Sequence, residues 1–217
     1  MDDHSLANSL RSREPGALAA VYDAYAARLY AYCWFRLLSH DAARTALGDA
    51  FIVARARIDQ LRDRERLGPW LYSITRLECG RHEPGRVPGA GRAPDASGAE
   101  LPELAALGRE NADRRITAWR GAMALPPLGR EVLDLRFRHR LSISDLAAVM
   151  GLSVTQAESI VDRARSDIEA AVAAEILAYG GAGGCPGRAE LVRDRRGPLT
   201  ADLRERLLRH ARQCEDC

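Results

Sequence analysis

Apolar residues recur at helical spacing from about Pro15 to Cys79. Leu18, Val21, Tyr22, Tyr25, Leu29 and Tyr32 make one stripe, and Ala50, Phe51, Val53, Ala54 and Ile58 make another. Three or four packed helices are predicted there. Residues 81 to 103, RHEPGRVPGAGRAPDASGAELPE, are crowded with Gly and Pro and have no period, the pattern of a flexible connector. Helical periodicity returns from about Leu104 to Val172, interrupted at Pro126–Pro127 and at Gly151. YGGAGGC, residues 179 to 185, is a second flexible joint, and two short helices around a Gly197–Pro198 turn follow it. No segment alternates with the period of two that a strand requires. The chain therefore reads as all-α: a helical domain over 1–80, a linker over 81–108, a second helical domain over 109–178 and a short helical segment over 179–217.

Composition narrows the class. Of 217 residues, 47% are hydrophobic and 29% charged, as in a globular protein rather than a disordered or fibrous one. The start, MDDHSLANSLRSREP, lacks the basic flank and apolar run of a secretory signal, and no stretch reads as a membrane span, so a cytoplasmic protein is expected. Every one of the 32 basic residues is arginine, yet the formal net charge is only +2, so a nucleic-acid role must rest on local patterning. An odd number of cysteines without an export signal argues against a disulfide framework. No phosphate-cradling glycine loop or nucleophile–base pair is present, and an enzyme is not expected.

Two N-terminal capping signals, Ser142 with Asp145 and Ser153 with Gln156, lie about ten residues apart. Between and after them, Ala147, Gly151, Ala157 and Ile160 match a helix-turn-helix: a small residue where helices cross, a glycine for the left-handed turn, and apolar residues on the inner face. At 100° per residue, Ala157, Ile160, Val161 and Ala164 form the stripe facing the core. Thr155, Ser159 and Asp162 lie opposite, with Gln156, Glu158 and Arg163 on the flanks. Thr155, Gln156 and Ser159 can reach base edges in a major groove. Arg163 and Arg165, with Arg136, Arg138 and Arg140, can supply phosphate contacts that weaken with salt. Glu158 and Asp162 oppose that use, and a protein-binding surface is the alternative reading.

The longer stretch ALPPLGREVLDLRFRHRLSISDLAAVMGLSVTQAESIVDRARSDIEAAV resembles region 4 of extracytoplasmic-function RNA polymerase sigma factors. The resemblance rests on Leu125, Pro126, Arg130, Val132, Leu133, Leu135 and Arg136, then the helix-turn-helix, then Arg163, Ala164 and Arg165. AAVYDAYAARLYAYCWFRL, HDAARTALGDAFIVARARI and GPWLYSITRLECGR resemble region 2 of the same family. The resemblance implies that the first domain contacts the polymerase core, through Asp49, Phe51 and Arg55, and the promoter's −10 element, where Arg76 falls. It also implies that the second domain reads the −35 element, and that the linker spans the two. Arg44, Thr45 and Gly48 stand where family members usually carry a Glu-Asp pair and a Gln, and Leu77 stands where an Asn is common. Those departures imply altered polymerase and −10 contacts.

The terminal RHARQCEDC places His210, Cys214 and Cys217 at His-x3-Cys-x2-Cys spacing. His210 and Cys214 share a helix face and Cys217 follows a turn later, so three borderline or soft ligands converge as tetrahedral zinc requires. Cys185 is the candidate fourth ligand; the alternative is a helix ending in two unmetallated cysteines. Cys33 and Cys79, set among apolar residues, read as small core fillers. The segment resembles a zinc-binding anti-sigma domain, which implies a regulatory tail and an anti-sigma factor or other regulatory protein as a further partner. The sequence thus predicts a sigma factor directing the polymerase to selected promoters, or a sigma-like protein that acts by binding another regulator.

Overall fold

The computed structural model describes residues 2–83, 109–179 and 185–217. The connector expected over 81–108 lies outside them, apart from its first three residues. Among the described residues every regular element is helical, in agreement with the all-α expectation. In chain order these are α1 (Asp3–Arg11), α2 (Ala17–Leu37), α3 (His40–Arg57), α4 (Leu67–Arg81), α5 (Arg109–Met123), α6 (Pro127–Leu133), α7 (Ile143–Met150), α8 (Val154–Tyr179), α9 (Pro186–Val192) and α10 (Ala201–Ala211). The chain folds as two compact units that exchange segments: Met1–Ala99 with Asp134–Glu158, and Glu100–Leu133 with Ser159–Cys217.

In the first unit, Val21, Tyr25, Leu29 and Tyr32 are buried along α2 as their spacing requires, while Tyr22 is half exposed. On α3, Ala43, Ala46, Ala50 and Ala54 are buried, and such small side chains let α2 and α4 approach closely. Ser39 caps α3 by accepting from the Ala42 amide at 3.3 Å. Helix α1 is absent from the sequence reading. It buries Leu6, Ala7 and Leu10, and Arg11 donates to the carbonyl of Leu61 at 2.9 Å. Its Asp3 Oδ2 accepts from the Gly68 amide at 2.9 Å and so caps α4, whose own N-cap, Arg66, offers no side-chain acceptor.

Residues 134 to 158 complete this unit. The chain continues from α6 into a π-helical turn over Asp134–Arg138, closed by the His139 amide on the Asp134 carbonyl at 3.0 Å. His139 is buried with Nδ1 2.8 Å from Tyr72 Oη and Nε2 3.2 Å from Asp134 Oδ2. Arg28 donates to the His139 carbonyl at 3.0 Å. Helix α7 then packs on α4, burying Leu146, Ala147, Val149 and Met150. Arg66 Nη2 meets Asp145 Oδ1 there at 2.5 Å.

The second unit is built around the later turns of α8. Ala174, Leu199 and Leu207 form its buried cluster, with Leu177, Ala178, Leu191, Val192, Leu203 and Leu208 packed against it. Leu191, Val192, Leu199, Leu203, Leu207 and Leu208, from the segment after residue 185, thus pack with the last turns of α8. Glu175 is buried beside this cluster, and burial pushes its carboxyl up against the pull of Arg120, Arg195 and Arg204. The Tyr179 ring lies between the guanidinium groups of Arg120 and Arg195, 4.2 and 4.0 Å from its centroid.

Candidate functional site

Two places carry chemistry: the helix-turn-helix and the cysteine–histidine cluster. In the first, Ser142 Oγ accepts from the Asp145 amide at 3.0 Å to start α7. Gly151 ends the helix in the left-handed region at φ +70°, which a side chain would strain, and the Leu152 amide returns to the Ala147 carbonyl at 2.9 Å. Helix α8 opens with a reciprocal capping box: Ser153 N–H donates to Gln156 Oε1 at 2.9 Å, and Gln156 N–H to Ser153 Oγ at 3.2 Å. Both capping signals in the sequence are thus realised.

Ala157, Val161 and Ala164 are buried and Ile160 half-buried, the inner stripe the spacing demands. Thr155, Gln156, Ser159, Arg163 and Arg165 are exposed, as are Glu158 and Asp162. Gln156 is only partly free, because its carbonyl oxygen is engaged in the cap. Arg138 lies 3.5 Å from the buried Asp134 carboxylate and over the Phe35 ring; Arg140, at φ +58°, is exposed just before α7. Arg136 folds back to donate to the Leu141 carbonyl at 3.0 Å. Arg76 is half-buried on α4.

The three residues assigned to polymerase contact are placed differently from one another. Arg55 is exposed, Asp49 Oδ2 lies 2.9 Å from His82 Nε2, and Phe51 is only 5% exposed, its ring 5.0 Å from that of Tyr22. Phe51 therefore holds α2 to α3. Beside them Gly48 is exposed and Arg44 pairs with Asp41 at 2.5 Å.

The cluster gathers all four ligands named from the sequence. Their donor atoms in Cys185, His210, Cys214 and Cys217 lie within 4.8 Å of one another. Cys185 Sγ is 3.0 Å from His210 Nε2 and 3.5 Å from Cys214 Sγ. Tetrahedral zinc with Zn–S near 2.3 Å and Zn–N near 2.0 Å separates its donors by about 3.5 Å, so the set fits. Local sequence explains the convergence. Cys185 is the N-cap of α9, with Pro186 at the first helical position, and its sulfur accepts from the Arg188 amide at 3.4 Å. Gly187 lets the His210 ring approach α9: a Cβ there would lie 2.9 Å from its Cε1. The Cys217 amide closes a turn on the Cys214 carbonyl at 3.2 Å.

The same contacts split the thiols. The Arg188 amide, then His210, hold the Cys185 thiol down at about 6, whereas loss of hydration, then the neighbouring thiols, push Cys217 up to about 11. Cys33 and Cys79 are fully buried in the first unit, as core fillers are.

Sequence reasoning missed the Tyr72–His139–Asp134 group and the Arg66–Asp145 pair. The first had a signal, since Val132, Leu135 and His139 fall on one face at spacings of three and four. The run RFRHR masked it as a solvated charge cluster.

No protein-family model matches the sequence, and no curated protein matches it either. Among solved structures the chain is similar to CnrH in its complex with the cytosolic domain of CnrY. Identity is 22%, the TM-score is 0.59, and the match covers 79% of this chain and 97% of that one. At this identity the likeness speaks to the fold alone. No helix among the described residues is long and apolar enough to cross a membrane.

Proposed function

We propose that this chain is a sigma factor that directs core RNA polymerase to specific promoters, with a metal-binding tail that regulates it. The observation carrying this reading is the capped helix-turn-helix, whose Thr155, Gln156 and Ser159 face solvent at the start of α8 within a sigma-like fold. Those residues sit where a recognition helix meets base edges, and Arg138, Arg140, Arg163 and Arg165 offer the phosphate contacts. Arg76 belongs to the −10 side, and Asp49, Phe51 and Arg55 to the polymerase side, with Phe51 acting through the α2–α3 packing. The order of parts is a region 2-like domain over 1–80, a linker over 81–108, a region 4-like domain over 109–178 and a tail over 179–217.

In the tail, Cys185, His210, Cys214 and Cys217 would hold zinc, which when bound cross-links the start of α9 to the end of α10 and the C-terminal turn. The residues themselves supply the preformed geometry: the α9 cap presents Cys185, and the face of α10 presents His210.

A second reading keeps the fold and discards the promoter: a sigma-like protein that acts by binding another regulator. The exposed Glu158 and Asp162 favour it, as does Asp145, which ties α7 to Arg66 of the first bundle. Transcription in vitro with purified core polymerase and genomic promoter fragments separates the two. Start sites that appear only when the protein is added support the sigma factor; a polymerase whose output is unchanged at saturating protein, while the protein binds a regulator, leaves the second reading.

A further inference from the structure

A shallow cavity of about 400 Å³ opens between α8 and α10, away from the recognition turn. Ala173, Ile176 and Leu177 line it from α8, and Leu208 and Ala211 from α10 together with Arg212, its C-cap. Each triplet has i, i+3, i+4 spacing, so each helix turns one stripe toward the same trough. Leu177 and Leu208 also pack on the buried cluster beneath, so the walls rest on core rather than on loop. The alanines keep the floor low. Ile176, by contrast, is 57% exposed, leaving a large apolar side chain in water. Cys217 borders the trough as well.

Charge distinguishes the rim. Arg206 and Arg209 on α10 are satisfied by Asp202 at 3.7 Å and Glu205 at 2.5 Å. Arg212, on the trough itself, enters no ion pair or side-chain hydrogen bond among the described residues, although Glu215 and Asp216 follow it closely in the chain.

We propose that this trough docks an amphipathic helix of a partner protein, apolar along one stripe and carrying carboxylates on the edge that meets Arg212. A helix fits because two walls at α-helical spacing present the ridges and grooves into which a third helix packs. The proposal deepens the reading of the tail as a regulatory module by naming the chemistry of what the module binds.

The test uses the full-length protein and a fluorescein-labelled peptide of about four helical turns, with leucines on one stripe and glutamates along its edge, against a twin carrying lysines instead. Anisotropy is expected to show the glutamate peptide binding at least about tenfold more tightly than its twin. Ile176→Glu abolishes binding of both, and Arg212→Glu reverses the preference. Circular dichroism and zinc content establish that the variants stay folded. Equal affinity for the two peptides, binding of neither, or a preference untouched by Arg212→Glu overturns the proposal. So does a dimer, seen by light scattering, that Ile176→Glu dissolves, since the occupant is then a second copy. Promoter-directed transcription is read separately, so failure of the peptide assay leaves the sigma-factor reading to be judged on its own.

Discussion

Gln156 has two possible duties, and its two side-chain ends divide them. Its carbonyl oxygen accepts from the Ser153 amide at 2.9 Å and closes the cap of α8, which leaves the amide nitrogen to donate outward. Alanine would remove both at once, and a loss of DNA affinity would be ambiguous between a frayed helix and a lost base contact. Gln156→Glu separates them, because glutamate at this position preserves the capping box while removing the donor and adding a negative charge. On the proposed reading, this variant keeps the wild-type melting temperature, whereas Gln156→Ala loses about 1 kcal/mol of stability. Both lower promoter affinity about tenfold or more, the scale of one good base contact. Promoter affinity unchanged in Gln156→Glu by fluorescence anisotropy would assign Gln156 to the cap alone. At this scale the sequence was legible wherever the cause is local: Ser142, Ser153 and Gly151 each act within four residues of themselves. His139 escaped because its burial is set by Tyr72 and Arg28, distant in sequence.

Among the elements, α4 shows how a helix can depend on another for its start. Arg66 cannot accept a hydrogen bond, and Asp3, on α1, takes the Gly68 amide instead; Asp3 also accepts from the Tyr25 hydroxyl. Asp3→Ala is expected to cost about 1–2 kcal/mol, a cap with a second partner lost. It should be seen as a fall of a few degrees in the melting temperature, since a chain of this size shifts about 2–4 °C per kcal/mol. Asp3→Asn, which keeps an acceptor, should lose less. A melting temperature unmoved in Asp3→Ala would mean that α4 is capped by solvent. The same tertiary origin explains why α1 was not foreseen. It spans nine residues and its three buried side chains make too short a stripe to read as a period. The long helices α2, α3 and α8 repeat their stripes over several turns and were plain. The cysteine–histidine cluster was legible for another reason: ligand spacing is a constraint of coordination chemistry and shows in sequence before any fold is known.

At the scale of the molecule, one helix joins the two sites. α8 runs 26 residues from Val154 to Tyr179, about 39 Å, with Thr155, Gln156 and Ser159, proposed above to meet base edges, on its first turns and Ala174, Leu177 and Ala178 on its last. Among the described residues the tail's cluster is built on three buried side chains, Ala174, Leu199 and Leu207, and so small a core ordinarily needs a covalent or metal staple. If zinc is that staple, the free energy of binding it is largely free energy of folding for α9, α10 and the end of α8. The full-length protein is then expected to carry about one zinc per chain, and Cys214→Ser to carry much less. Chelation should raise amide exchange at least about tenfold over residues 171–179 and 199–208, some 1.4 kcal/mol of lost protection, while residues 143–150 in the first unit keep theirs. That contrast is the informative part, because α7 is held by α4 and by the Arg66–Asp145 pair, which owe nothing to the metal. Exchange that rises equally in both regions would show one cooperative structure with the metal at its root. Exchange that does not rise at all, with zinc gone by atomic absorption, would show that the leucines alone hold the tail and that the cysteines serve some other end.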